Sequence, residues 1–341
     1  MTQPDPVVCP NYLPGAFEPM PLGDDYSAFP TVVEIPAGLR AVWWQGNDHL
    51  SYGTSRLFTT TSSDSGASWT APEFLRWSIG VRDPNVSRQA DDRHWLTYFT
   101  GFQSLPALGA YARLSRDGGA TWGTPRRVDP RLPYAAVSAP IRAEGPGGRD
   151  TLWLPFYGRE RDDATGDLEE FDSAYIARSV DGGANWTSTR IADGAADERS
   201  YAEPWLVLDE NQPGRMLVFH RHGAWQSIGL TESTDGGQSW SAPRELFPGT
   251  GRPTALATST GQLVVVYRDA TTRDAVYAVS TDDGATWNAG QLLMENHNST
   301  QLGMVYAAMV ETAPGEVYTL VSMEDNGVNA RLWHGHLVCA G

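Results

Sequence analysis

The sequence predicts an all-β chain folded as a six-bladed β-propeller closed by an N-terminal strand, and three observations lead to that expectation. One eight-residue pattern, S-x-D-x-G-x-[TSN]-W, occurs five times, at residues 62–69, 115–122, 179–186, 233–240 and 280–287. Its aspartates, Asp64, Asp117, Asp181, Asp235 and Asp282, lie 53, 64, 54 and 47 residues apart, and each interval has room for the four short strands of one blade. Beyond the last repeat a sixth unit remains without the pattern, while an unassigned apolar segment sits at the N-terminus. The pattern itself is turn chemistry. The Asp carboxylate accepts backbone N–H groups of its own turn, the Gly two residues on supplies positive φ, and the Trp buries a large ring against a neighbouring sheet.

Taken in order, blade 1 reads as strands at residues 29–35, 39–44 and 55–61, then the repeat, then 73–77. Blade 2 follows with 83–88, 94–100, 109–114 and 126–128, and blade 3 with 137–143, 151–157, 173–178 and 189–191. Blade 4 has 203–208, 215–220, 227–231 and 244–247; blade 5 has 253–258, 262–267, 275–280 and 290–294. Three stretches remain, 305–311, 316–322 and 330–338, and residues 6–13 are expected to add the missing fourth strand. The blade limits are then about 28–78, 81–129, 136–192, 201–248, 251–295 and 303–341, with 1–15 as the closing segment of a single domain. Closure of the ring leaves no edge strand free to pair with another chain.

Composition narrows the function. The 341 residues are 40% hydrophobic and rich in turn formers and aromatics, with 35 Gly, 23 Pro and 13 Trp, which suits many short strands. Net charge is −16, and all 25 basic residues are Arg. Such acidity argues against nucleic acid or an anionic membrane as partner, and an anionic ligand would need a local Arg cluster. No apolar run reaches membrane-spanning length. Residues 1–5 lack the basic and apolar regions of a signal peptide, which leaves cytoplasmic residence, another export route, a virion or a trimmed N-terminus open, with extracellular or virion-associated action expected and cytoplasmic action otherwise. The two cysteines, Cys9 and Cys339, are too few for a metal framework. If the N-terminal strand lies beside the last C-terminal one, they meet within disulfide reach; two buried thiols are the alternative in a reducing compartment.

In such a ring the starts of the innermost strands and the ends of the second strands converge on one face. The first set brings residues 28–29, Arg82, Asp83, residues 138–140, Glu203, Arg252 and Tyr306. The second brings residues 45–49, 157–159 and 220–222, Arg268 and residues 324–325. Carboxylates, a tyrosine and several arginines around one axis make a glycan site. His220 and His222 share a side by period 2, but no third ligand stands at a metal-site spacing.

The repeat is the Asp box, and the chain resembles the sialidase-like propellers of the Asp-box (BNR-repeat) superfamily. In fold the resemblance covers nearly the whole chain; in the site it covers a handful of residues. Tyr306-Ala307-Ala308-Met309 is similar to the family's Y-S-S-L stretch, which implies Tyr306 as nucleophile. Ala202-Glu203-Pro204 is similar to its N-E-P, which implies Glu203 as the activating base, with Arg221 on the next strand as a carboxylate-binding Arg. Arg82-Asp83-Pro84 resembles the D-P whose Asp contacts sugar hydroxyls, and Asp48, followed by His49, corresponds to the acid/base Asp. Arg252, Arg268 and Arg273 compete for the place of the third Arg. The family's first Arg, from an R-I-P motif, has no counterpart in Ala28-Phe29-Pro30, and Arg82 is a candidate to replace it from the next blade. A Tyr nucleophile suits a substrate whose own carboxylate would repel an anionic one, and an Asp kept protonated by burial can serve the leaving oxygen.

The expected activity is that of a sialidase-like retaining exo-glycosidase removing a terminal acidic sugar, a monomer with a glycan partner, no metal and no cofactor. Two alternatives stay open. One is a lyase or rhamnosidase-type propeller in which His220 or His222 works with Tyr306. The other is a non-catalytic glycan-binding head, such as a phage tail receptor-binding module.

Overall fold

The structure, a computed structural model, describes residues 9–22, 25–49, 55–77, 80–89, 91–100, 109–144, 151–162, 164–209, 211–223, 226–296, 304–325 and 329–340. These form six antiparallel sheets arranged as a propeller. Blade 1 is Tyr26–Ile35, Gly38–Gly46, Arg56–Ser62 and Glu73–Trp77; blade 2 is Val81–Arg88, His94–Thr100, Gly109–Ser115 and Arg126–Arg127. Blade 4 is Ser200–Leu208, Met216–Gly223, Ser227–Ser233 and Arg244–Pro248; blade 5 is Thr250–Ala257, Leu263–Arg268, Ala275–Ser280 and Asn288–Met294. In each, sequence order is also the order from the axis outward.

Blade 3 departs from the expected continuous inner strand over 137–143. Its inner edge is split into Tyr134–Ala136 and Arg142–Glu144, both paired with Thr151–Arg159, and Ser173–Ser179 and Thr187–Ala192 complete the sheet. Pro140 lies in the gap, and a proline has no N–H to give the ladder. A one-turn helix, Gly194–Asp197, capped by the Asp193 side chain on Ala196 N, leads into blade 4.

Blade 6 closes the ring. Its strands Val305–Ala313, Glu316–Asp325 and Asn329–Ala340 are joined by Asn11–Pro14, with Leu13 opposite Val338 and Tyr12 opposite Cys339. A two-residue strand, Glu18–Pro19, extends the pairing at Trp333 and His334. The closing strand thus starts later than the expected residue 6; residues 6–8 lie outside the described residues. Cys9 and Cys339 form a disulfide with Cα atoms 5.5 Å apart. Cys9 precedes the strand rather than lying in it.

The apolar core is not one body but six clusters, each filling the wedge between neighbouring sheets. Trp95 and Leu152, for instance, join blades 2 and 3, and Trp153 and Leu206 join blades 3 and 4. Polar bonds repeat around the axis in the same sense. Thr31 Oγ1 donates to Pro84 O (2.7 Å), Thr97 Oγ1 to Ala139 O (2.8 Å) and Arg142 Nε to Leu206 O (3.4 Å). Trp205 Nε1 donates to Ala255 O (2.8 Å), Thr254 Oγ1 to Ala307 O (2.8 Å) and Ser322 Oγ to Ser27 O (3.2 Å). Every blade therefore satisfies a carbonyl on the inner edge of the next, which a buried backbone group requires.

The Asp boxes do two jobs. In each, the Ser hydroxyl accepts the Gly N–H four residues on and donates to the Asp, whose Oδ1 accepts the N–H four residues further; in the third repeat these are Ser179, Gly183, Asp181 and Asn185. The turn also docks on the preceding blade. A Cβ on Gly183 (φ +78°) would fall 2.2 Å from the Trp95 ring, so only glycine permits this approach. The box tryptophans follow: Trp69 meets Tyr318 of blade 6, Trp186 meets Trp95 of blade 2, and Trp287 meets Phe219 of blade 4.

Candidate active site

The site is built by a defect repeated in the inner strands. Phe29-Pro30, Asp83-Pro84, Glu203-Pro204 and Arg252-Pro253 interrupt four of them, and the register slips at each, between Ala28 and Thr31, Arg82 and Asn85, Ala202 and Trp205, and Thr250 and Thr254. Ala139-Pro140 falls in the break of blade 3. Proline drops out of the ladder, and the extra residue is accommodated as a bulge. The bulge residue takes a left-handed backbone in three blades, with φ of 55° at Phe29, 50° at Asp83 and 50° at Glu203. A side chain in that region costs roughly 1–3 kcal/mol, and strain of this kind collects at functional sites. The result is to turn three side chains toward the axis.

Glu203 and Arg221 form an ion pair, Nη1 to Oε2, at 2.7 Å. Tyr306 is buried beside them; its hydroxyl is held well above its ordinary pKa by burial and then by the Glu203 charge, with Arg221 and Arg268 opposing. Arg268 is buried as well, lowered by that burial and by the like charges of Arg221 and Arg273, with Tyr306 and Glu203 as countering neighbours. Its Nη1 donates to Met304 Sδ at 2.9 Å. Arg273, at φ +69°, begins the third strand's approach and is half-buried. Tyr157, raised by burial, completes this side with Glu203 and Asp83 among its charged neighbours.

Blade 1 supplies an aromatic quarter instead of an arginine. Phe29 packs on Tyr306 with ring centroids 4.4 Å apart, and the His49 ring lies nearly parallel to that of Tyr306, 11° and 6.0 Å away. Arg82 reaches over from blade 2, its guanidinium 5.1 Å from the Phe29 centroid and 5.2 Å from Trp44, and donates to the His49 carbonyl. The cation is thus delivered to blade 1 from its neighbour.

Four expectations change. Arg252 is fully buried and pairs with Asp83 at 2.6 Å while donating to the carbonyls of Ser138 (3.2 Å), Pro30 (3.4 Å) and Ala307 (3.1 Å). With Trp205 against its guanidinium at 5.5 Å, it touches all five other blades and forms the floor of the site rather than a ligand in it. Asp83 is drawn into the same floor; burial raises its carboxyl although Arg252 opposes the shift. Asp48, expected to be buried, is exposed on the turn after Gly38–Gly46, next to His49. His220 and His222 stack on each other and meet Tyr201 edge-on. By strand alternation they face away from the side on which Arg221 meets Glu203, which separates them from Tyr306.

Sequence reading placed Phe29, Tyr157 and Glu324 on this face without giving them a role, and it missed Tyr26. The recurrence of x-Pro at Pro30, Pro84, Pro140, Pro204 and Pro253 was the signal that marks the bulges. Among the described residues no group of three or more His, Cys, Asp or Glu converges as a metal site requires.

A family model described as the BNR repeat-like domain matches residues 81–318. No curated protein matches the chain. Among solved structures the chain is similar to a Dyadobacter fermentans protein of unknown function, at TM-score 0.80 and 18% identity over 97% of this chain and 100% of that one. It is also similar to the intramolecular trans-sialidase of Ruminococcus gnavus (0.69, 13%, 94% and 96%). A third similar structure is the α-L-arabinanase of Penicillium chrysogenum (0.65, 13%, 98% and 99%). At these identities the likeness is one of fold.

Proposed function

This chain belongs to the BNR repeat-like domain family, and from that premise we propose that its axial site is a glycoside hydrolase site for a terminal acidic sugar. The observation that supports the reading best is the meeting of Tyr306 with the Glu203–Arg221 pair beside Arg268. A buried tyrosine with a raised pKa is neutral at working pH and needs a base to become a nucleophile. Arg221 holds Oε2 of Glu203, so Oε1 is the oxygen left to take the phenolic proton. The Tyr306 oxygen then bonds the anomeric carbon as the glycosidic C–O bond breaks, and the leaving oxygen takes a proton from Asp48. Water, deprotonated by Asp48, then displaces Tyr306 from the anomeric carbon, and the leaving phenolate recovers from Glu203 the proton it gave up. Arg221, Arg268 and Arg273 concentrate positive charge in a chain of net charge −16, which favours an anionic sugar held bidentately. The sialidase and arabinanase folds support a glycan substrate in general terms.

Binding without cleavage is the second reading, and the exposure of Asp48 favours it. A panel of glycans read for released monosaccharide separates the two. Free acidic sugar from the wild type, with none from Tyr306→Phe at unchanged melting temperature, is the expected result. Binding without product supports the second reading, and wild-type turnover in Tyr306→Phe removes the nucleophile.

A further inference from the structure

Tyr26, buried in blade 1, places its hydroxyl 3.2 Å from Oε1 of Glu324 and 3.2 Å from Nδ1 of His49. Glu324 is buried at the end of the second strand of blade 6, and its other oxygen accepts the Met304 N–H at 3.1 Å. A phenol has one proton to give, and a carboxylate only accepts. The Tyr26 proton therefore goes to Glu324, and the Tyr26 lone pair faces His49. For that second contact to be a hydrogen bond, Nδ1 of His49 must carry the hydrogen. The same ring stays neutral, because burial and the guanidinium groups of Arg82 and Arg268 pull its pKa down to about 3. A neutral imidazole protonated at Nδ1 has a bare lone pair at Nε2. The only hydrogen bond of the His49 side chain among the described residues is the one at Nδ1. Stacked on Tyr306 and tilted against Phe29 at 5.5 Å, this ring belongs to the site wall.

Building on the reading of this site as a sugar site, we infer that His49 is a specificity residue whose Nε2 accepts a hydrogen bond from a hydroxyl or amide N–H of the substrate, with Tyr26 and Glu324 as the residues that set its tautomer. The consequence is an orientation. His49 Nε2 takes a donor of the substrate, while the substrate carboxylate goes to Arg221, Arg268 and Arg273.

The test has two independent readouts. Nitrogen NMR of the protein labelled in its seven histidines, with His49 assigned by the resonance lost in His49→Phe, reads the tautomer without substrate. The expected form is Nδ1–H in the wild type, moving toward Nε2–H in Tyr26→Phe; an Nε2–H form in the wild type overturns the inference. On an aryl α-glycoside of N-acetylneuraminic acid, His49→Phe should lower kcat/KM about tenfold, the scale of one lost hydrogen bond, and His49→Gln, which keeps an acceptor, should recover part of the loss. A His49→Phe rate equal to wild type, with the fold intact by circular dichroism, also overturns it. If the wild type releases no sugar, the hydrolase reading falls while the tautomer result still decides the hydrogen-bond relay.

Discussion

Glu203 combines three properties in one residue: a left-handed backbone before a proline, burial, and an ion pair with Arg221. The strained conformation turns its carboxylate to the axis, and the arginine fixes one oxygen so that the other is available. Replacing it by Gln keeps the shape but removes the proposed proton acceptor. Glu203→Gln is expected to lower kcat by about 10²–10⁴-fold, the usual weight of a general base, with KM changed far less. Steady-state kinetics on the substrate found in the glycan panel measure both. A KM rise with unchanged kcat would instead make Glu203 a binding group.

At the scale of the element, the Asp box is a hairpin turn whose carboxylate is held ionised. Hydrogen bonds from the Ser or Thr side chain and the backbone N–H four residues on lower Asp64 and Asp117 to about 2, and the same groups lower Asp235 to about 2. Asp181 reaches about 2 through the backbone and side chain of Asn185. A carboxylate whose folded pKa lies below its unfolded value of about 3.9 contributes stability above that value and loses it as pH falls through the folded one. Urea midpoints should therefore fall between pH 5 and pH 2. Asp181→Asn should be less stable than wild type at pH 5, and the gap should close as pH approaches 2. A gap that stays constant would mean the charge is irrelevant and only the turn geometry counts.

For the molecule as a whole, the ring is held at its centre and at its seam. At the centre, Arg252 reaches every other blade, and Arg252→Met leaves Asp83 buried without its cation. A loss of about 3–5 kcal/mol is expected, as for other broken buried pairs, measured by urea unfolding; Asp83→Asn in the same chain should restore part of it. At the seam, the Cys9–Cys339 bond closes a loop of 330 residues. The chain-entropy model gives such a loop up to about 5 kcal/mol, and measured gains are often smaller. Cys9→Ser should lower the melting temperature and remove the sensitivity of the wild type to reductant. Equal melting with and without reductant would leave the seam to strand pairing alone.

The repeats were sufficient to determine the ring. Ser179, Asp181, Gly183 and Trp186 act within eight residues, so their turn is legible in any one copy, and five copies at blade-length spacing count the blades. The spare N-terminal segment and the boxless last unit likewise implied the closure, and the two cysteines implied its staple. Tyr306, Glu203, Arg221 and Arg268 could be named because they stand at the starts or ends of strands that face the axis. What the sequence could not decide was the fate of each charge. Arg252 and Arg268 look alike in the chain, yet one is sealed into the floor by carbonyls from three blades and the other lies beside Tyr306. Their difference comes from the bulge at Pro253 and from carbonyls on other blades, 55 to 222 residues away. The Tyr26–Glu324–His49 relay likewise spans 298 residues of sequence and exists only because the ring closes blade 6 on blade 1. Local turns follow from local chemistry, whereas protonation, burial and ion pairing at the axis depend on six blades meeting.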